Sequence, residues 1–404
     1  MILLDFIVQP ANFLPVANPE SLSPRVIEAL CAAQAEAAQV LGRLDGILKF
    51  CPPEPLRIAA ARIIRETLVA ALRQEGHQFT DARFHAWFAG LVPLSEEALR
   101  FAPAPRAIVE TLLLELAHSS WQPLAETAAG FQTAFLALRE PDDRHAREAA
   151  EAAIAEARAI VATLKPAPLP YTALGALHRA IGQSIRFAQA ERSIDTIAID
   201  NIELVLERPR PPSPRWAIEL AFGRHMRISD MLYADLPLPG LIRLDTVTLE
   251  NDEDLGFGAI LQAKTLKDCL IHILQIIDEA ARYHAELPNR YAARRGNSRA
   301  PLLCGVLTGF GPLRSSQIEH LIGATRLGVR AIIKALADTG ELGVETVAGV
   351  KLYSARRPQP LSNGAPIADE RHHFSSAAID AYDASMSHID ALLARHANPS
   401  GAKN

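Results

Sequence analysis

Arg326, Arg330 and Lys334 stand four residues apart in the stretch RLGVRAIIKAL. On an α-helix that spacing puts all three within an arc of about 80°, on one face. A guanidinium presents a planar fork of donors that fits a phosphate or the two acceptors on the major-groove edge of guanine. A lysine ammonium is a compact charge suited to phosphate. The chemistry to expect of such a face is recognition of a polyanion. Arg326 and Arg330, nearer the helix N-terminus, are the candidates for base edges, and Lys334 for phosphate.

A face of this kind needs a helix held by others. Thr325 can cap its start, and Val329, Ile332, Ile333 and Leu336 form the apolar stripe that would bury it. Gly323 permits a tight turn from a preceding helix that Ser315 or Ser316 would cap and whose apolar positions are Ile318, Leu321 and Ile322. Gly340 ends the second helix. Two alternating runs follow, Leu342–Val347 and Val350–Ala355, with Ala348-Gly349 at the turn, and Lys351, Arg356 and Arg357 on or beside them. Ahead of the first helix lie Arg290, Arg294, Arg295 and Arg299, with the turn segment GFGPL (309–313) in between. The pattern predicts a winged helix-turn-helix over residues 288–357 that binds double-stranded DNA. Lys351, Arg299, Arg294, Arg295, Arg356 and Arg357 would contact phosphates, which give affinity and register but no base information. The same pattern also fits a winged helix used for protein partners, or a plain helical pair.

Charge is divided along the chain. Residues 288–357 hold 11 Lys and Arg against 4 Asp and Glu, a balance of +7. The rest holds 30 against 42, or −12, within a net charge of −5. An acidic body carrying one basic module predicts that a polyanion meets that module alone.

The elements before the module read as an acidic, mostly α body. Residues 1–20 are rich in Pro and Asn and read as extended. Ser23-Pro24 starts a helix with a Val26–Leu48 period that stops near Gly46, and a second helix spans about Pro55 to Glu75 with Gly76 as its stop. Thr80 or Asp81 caps a third, and further helices are predicted at 105–118, 120–138, 143–164 and 170–191. IDTIAIDNIELVLE alternates like a small sheet before a Pro-rich connector at 208–214, and Leu241–Leu249 alternates too. Helix resumes from about Ala259 to Leu287, where Pro288 ends it. The predicted divisions are 1–20, a helical body at 21–200, a second helical part with the small sheet at 201–287, the basic module at 288–357, and a linker with a terminal helix at 358–404. The fold class expected is mostly α and multi-domain, with a C-terminal winged helix-turn-helix and a terminal helix.

Catalytic signatures are missing from the sequence. Cys31, Cys51, Cys269 and Cys304 form no CxxC pair, so the chain reads as reduced and cytoplasmic, without a structural zinc site. His272 and His284 lie twelve apart, and His372-His373 are adjacent in the linker, neither a good metal spacing; Asp142, Asp143 and His145 read as charge at a helix start. NDEDLGFG lacks the spaced oxygens of a calcium loop. No phosphate loop, nucleophile elbow or dinucleotide fingerprint occurs. No cofactor, metal or membrane is expected, MILLDFIVQP having no basic start and an apolar run broken by Asp5 and Pro10.

The run from Ser298 to Leu342, SRAPLLCGVLTGFGPLRSSQIEHLIGATRLGVRAIIKALADTGEL, resembles a family of uncharacterised alphaproteobacterial proteins, often plasmid-encoded. They join a large domain of unknown function to a C-terminal helix-turn-helix domain, and RLDGIL and EGHQFTDARFHAWFAG resemble their front half. This resemblance covers most of the chain and implies the architecture without implying a reaction. A second stretch, AAQVLGRLDGI with a helix ending at Glu75-Gly76, is similar to the helical front half of Fic proteins, many of which transfer AMP and often end in a winged helix. Their inhibitory helix carries a hydroxyl where ALRQEG here has Ala71. The string nearest their catalytic loop, YAARRGNSR (291–299), puts Tyr291 at the catalytic base and Arg295 at the metal-binding acid. Without the base no target hydroxyl is activated, and without the acid no Mg²⁺ is held. The resemblance implies a shared helical front half and a chain inactive in that transfer.

The function expected is sequence-specific DNA binding in transcriptional or plasmid and mobile-element regulation. The alternatives are a Fic-like, degenerate nucleotidyl-transfer protein with a regulatory winged helix, and a scaffold that uses the winged helix for protein partners. In the terminal helix Ile379, Tyr382, Met386, Ile389 and Leu393 are spaced 3, 4, 3, 4. That seam either packs on its own body or forms a homodimer able to match a pseudo-palindromic site. If it joins two copies, changing Met386 and Ile389 to Asp lowers the mass measured by light scattering; an unchanged mass makes the seam a packed tail.

Overall fold

The computed structural model describes residues 23–95, 103–139, 143–167, 169–188, 194–199, 202–207, 213–243, 252–291, 299–338 and 340–356. The chain divides into two compact units, Met1–Arg356 and Arg357–Asn404. The second lies wholly outside the described residues, and with it the seam from Ile379 to Leu393.

The first unit is mostly helical. In chain order it runs α1 (Pro24–Phe50), α2 (Pro53–Gln74), α3 (Asp81–Phe88), α4 (Pro105–Ala117), α5 (Gln122–Ala134), α6 (Asp143–Ala162) and α7 (Tyr171–Gln183). Then come a hairpin, β1 (Ile194–Ile199) and β2 (Ile202–Glu207), and α8 (Arg215–Ile228) and α9 (Asp252–Tyr291). It closes with α10 (Ala300–Gly309), β3 (Leu313–Arg314), α11 (Ser315–Ile322), α12 (Arg326–Asp338), β4 (Leu342–Val347) and β5 (Val350–Ala355). Five helices, α1, α2, α4, α5 and α10, carry Pro in their first two positions. There the missing N–H costs nothing and the fixed φ favours entry into the helix.

The spine is α9, 40 residues long and so about 60 Å. Its buried residues, among them Leu266, Leu270, Ile273, Ile277 and Ala280, follow the helical period and face α1 and α2. Lys267 Nζ donates to Glu36 of α1 at 2.8 Å. Between α2 and α9, Arg62 pairs with both Glu66 and Glu279, and His272 meets Glu66. Burial pushes the Glu66 carboxyl up, but the bonds from His272 and Arg62 outweigh it and hold the carboxyl below its usual range.

Several sequence boundaries move. Helix α1 runs through Gly46 to Phe50 and stops only before Pro52-Pro53, a proline pair at which the backbone turns extended. Helix α7 ends at Gln183 rather than near 191. Helix α8, which sequence periodicity did not separate from the Pro-rich connector, buries Trp216, Ile218, Phe222 and Met226. Helix α9 begins seven residues early, at Asp252 rather than Ala259, and runs past Pro288 to Tyr291. A proline so near the end removes a single helical hydrogen bond. The division at 287/288 therefore falls inside a helix, and that at 200/201 falls between the paired strands β1 and β2. Of the alternating run Leu241–Leu249, residues 241–243 are not in a strand and the rest lies outside the described residues.

Among the ionisable groups that burial holds away from their charged form, Glu219 and His85 bear on stability within the ordinary pH range. Glu219 of α8 is 2% exposed and accepts from Gly240 N at 2.9 Å, Ile242 N at 3.2 Å and Gln74 Nε2 at 3.0 Å. Burial pushes its carboxyl up to about 7 in spite of those donors. His85 of α3 is 4% exposed, and burial brings it down to about 4. The two act in opposite directions on stability. The unfolded chain protonates His85 below about pH 6.5 while the folded chain does not, so His85 weakens the fold as pH falls from 6.5 towards 4. The folded chain keeps the Glu219 proton that the unfolded chain loses above about pH 4.5, so Glu219 weakens the fold as pH rises from 4.5 to 7. Each ramp is on the order of 3 kcal/mol. Glu219→Gln removes the second ramp only, so in urea titrations from pH 5 to 7 its stability relative to the parent should climb steadily. A difference that does not change with pH would mean that Glu219 is ionised in the folded chain.

Candidate nucleic-acid interface

Residues 299–356 form three helices and a three-stranded antiparallel sheet ordered β3-β5-β4. Leu313 and Val344 both pair with Tyr353, and the hairpin turns at Ala348-Gly349, both with positive φ. The two long strands lie where the alternation placed them. Strand β3 replaces the end of the segment expected to be only a turn.

This group shares its core with the helical body. Phe310, which closes α10, is fully buried and stacks on Phe131 of α5 at 4.0 Å between centroids, with Phe88 of α3 at 4.8 Å. Gly309 lies so close to α2 that an added Cβ would stand 2.5 Å from the Ile58 carbonyl. Helix α11 caps the ends of two body helices. Gln317, 0% exposed, donates to the Ala134 carbonyl at 2.8 Å and the Phe88 carbonyl at 3.3 Å, and accepts from Arg314 N at 3.0 Å. Arg314 Nη1 donates to the Ala89 carbonyl at 3.0 Å. Arg314, not Ser315 or Ser316, is the residue that precedes the helix; the serines are already helical.

Gly323, at φ 59 and ψ 38, makes the left-handed turn out of α11. Thr325 then starts α12: its Oγ1 accepts from Gly328 N at 3.3 Å and its carbonyl from Val329 N at 2.9 Å. Val329, Ile333 and Leu336 are buried, and α12 packs chiefly on α11 and β4. Arg326, Arg330 and Lys334 are all exposed, and none forms an ion pair among the described residues. Leu327, 76% exposed, extends the same open surface. It is an apolar group of the kind that can meet a thymine methyl, and sequence reasoning passed over it because it lies off the buried stripe.

The remaining candidates separate. Lys351 and Arg356 are exposed on the hairpin, and Arg356 N closes its base on the Glu341 carbonyl at 2.8 Å. Arg294, Arg295 and Arg357 lie outside the described residues, and Arg290 is in the last turn of α9. Arg299, expected at phosphate, is exposed and is also tied into the fold. Its Nη1 donates to the Ile322 carbonyl at 2.7 Å and to the Gly323 carbonyl, at the C-terminal end of α11. A contact across 23 residues is invisible to local spacing.

The residues of the Fic resemblance are engaged in packing. Glu75 is buried and accepts from Trp216 Nε1 at 2.8 Å; burial raises its carboxyl and that bond opposes the rise. Gly76 ends α2 with φ 89. His77 Nε2 bonds the Pro103 carbonyl at 3.0 Å, and burial lowers the imidazole. Among the described residues no cluster of three His, Cys, Asp or Glu could hold a metal ion, and no helix is long and apolar enough to cross a membrane. Compared with known proteins, the chain matches no family model and no curated sequence.

Gln317→Leu leaves the buried Ala134 carbonyl without its donor, at roughly 1–3 kcal/mol, while the Phe88 carbonyl keeps its bond from Leu136 N. Arg299→Met costs about 1 kcal/mol as a lost helix-end bond. Thermal unfolding of the intact chain should rank them in that order. Equal and negligible shifts would show that α11 is not held by these bonds.

Proposed function

We propose that this chain is a sequence-specific DNA-binding protein that reads the duplex with α12. The observation that carries the reading is the face of α12. Arg326, Arg330 and Lys334 are exposed together and unpaired among the described residues, on a helix whose other side is gripped by α11 and β4. In this reading α10, α11, α12 and the β3-β5-β4 sheet form a winged helix, with α12 in the major groove and the β4–β5 hairpin carrying Lys351 to the backbone. The acidic body keeps the rest of the surface from polyanions. The resemblance to helix-turn-helix proteins of alphaproteobacterial plasmids supports a regulatory role in the cytoplasm, with the seam from Ile379 to Leu393 pairing two copies. Nucleotidyl transfer has less to stand on, since Glu75 and His77 are spent on packing.

Selection from a random duplex library, followed by affinities for the selected and a scrambled site at several salt concentrations, tests this. Arg326→Ala and Arg330→Ala should each cost roughly 1–3 kcal/mol on the selected site and relax preference at one position. Lys334→Ala and Lys351→Ala should weaken both sites alike and reduce the salt slope by about one. If Arg330→Ala and Lys334→Ala change neither affinity nor slope, α12 does not read DNA and a protein partner takes its place.

A further inference from the structure

Beside α11, the described residues line a cavity of about 570 Å³ that opens to the surface between α2, α5, α9, α10 and α11. That size falls within the roughly 300–1,000 Å³ of sites that take small organic ligands. Ile58, Phe131, Leu287, Leu302, Val306 and Leu321 give it an apolar wall. Gly130 and Gly305 also line it, where a Cβ would press on Leu321 at 3.2 Å and on Ile58 at 3.1 Å.

The polar lining is Glu54, Arg57, Glu126, Thr127 and His284, and its two carboxylates face one guanidinium. Arg57 Nη2 donates to Glu126 at 3.0 Å, and Gln122 Nε2 donates to the other Glu126 oxygen at 2.7 Å. Arg57 is thereby neutralised and Glu126 has a donor on each oxygen. Glu54 is exposed at the same rim and forms no ion pair among the described residues. The charge left to greet a ligand is negative, so an apolar carboxylate is disfavoured and an amine or another donor is matched.

The wall also includes the part of the chain that aims α12. Leu321 touches the position of a Gly130 Cβ at 3.2 Å and is followed by Ile322 and Gly323, the carbonyls that Arg299 holds before the turn into α12. A molecule seated between α5, α10 and α11 bears on Leu321 directly, and interiors respond to such a load by shifting packed elements rather than by compressing.

We propose that this cavity binds a small, mainly apolar molecule with a cationic or hydrogen-bond-donating end, and that its occupancy repositions α11 and with it α12. The consequence for DNA affinity rests on the function proposed above; binding and repositioning do not. Three probes sharing one ring system separate the chemistry: 2-(aminomethyl)naphthalene, 2-naphthalenemethanol and 2-naphthoate, each titrated by equilibrium dialysis into the full chain. The amine should bind saturably and the carboxylate about tenfold more weakly, the difference expected when a partly exposed charge contact turns from attraction to repulsion. Glu54→Gln should weaken the amine by about threefold to fivefold and leave the alcohol unchanged. Leu302→Trp fills the rim from a position already 46% exposed, so it should abolish binding of all three without unfolding the chain, which circular dichroism checks. Amide exchange with the amine bound should change across residues 318–338 and not in α6 or α8. Absence of binding by all three probes, binding that survives Leu302→Trp, or binding without a change in exchange at α11 and α12 overturns the proposal. If exchange changes while the library selection yields no site, the cavity stands and the DNA reading falls.

Discussion

Helices α3 and α5 end at Phe88 and Ala134, and the carbonyls there and at Ala89 are met by two residues of the α10–α12 group, Gln317 and Arg314. A buried amide is costly unless its donors and its acceptor all find partners. Gln317 manages this with two carbonyls of the body on its nitrogen and Arg314 N on its oxygen. Each side therefore supplies what the other lacks. The bonds are directional, so they fix the rotation of α11 about its own axis as well as its distance from α3 and α5. Phe310, packed between Phe88 and Phe131, supplies the apolar weight beside them, in the range of about 1.5–3 kcal/mol for a fully buried side chain.

Everything about the exposed basic face follows from that attachment. With α11 pinned, the left-handed turn at Gly323 and the Arg299 bonds to the Ile322 and Gly323 carbonyls set the direction in which the chain leaves. Thr325 restarts the helix, and the apolar stripe of α12 has α11 and β4 to pack on. Arg326, Arg330 and Lys334 are left on the open side by geometry, because the stripe takes the arc beside them. The group is thus held by directional bonds where it meets the body and open where its cations stand, the combination that a preformed binding surface needs.

Within the body, buried carboxylates act as pins between distant segments. Asp235 accepts from Ser120 N at 3.1 Å and Trp121 N at 3.2 Å, and so does the work of a cap at the start of α5 from more than a hundred residues away. Glu219 joins α8 to the loop at Gly240 and Ile242, and Glu75 joins α2 to α8 through Trp216. Each is surrounded by donors that belong to the fold, which is why these acids read as structure. The cavity beside α11 differs in kind: its wall is apolar, and Glu54 at its rim has no ion-pair partner among the described residues.

Local chemistry was legible in the sequence. Prolines at helix starts, the caps at Thr80 and Thr325, the turn at Gly323 and the alternation over Leu342–Val347 and Val350–Ala355 act through neighbours a few residues apart, and these elements stand where periodicity and capping placed them. The spacing of Arg326, Arg330 and Lys334 belongs to this class, since i and i+4 share a face on any helix. What residues far apart do to one another was not legible. Gly46 and Pro288 read as stops but lie inside helices, because packing along α1 and α9 outweighs a local preference of a few kcal/mol. Arg299 read as one more free cation, and the tertiary structure made it a brace. Gln317 read as an ordinary polar residue on a short amphipathic helix; the carbonyls that give it a role come from residues 229 and 183 positions away. The supposed border between body and basic module vanished for the same reason. Composition changes at that border, but a boundary in packing depends on which unsatisfied groups and apolar faces meet in space, and only the folded chain brings those together.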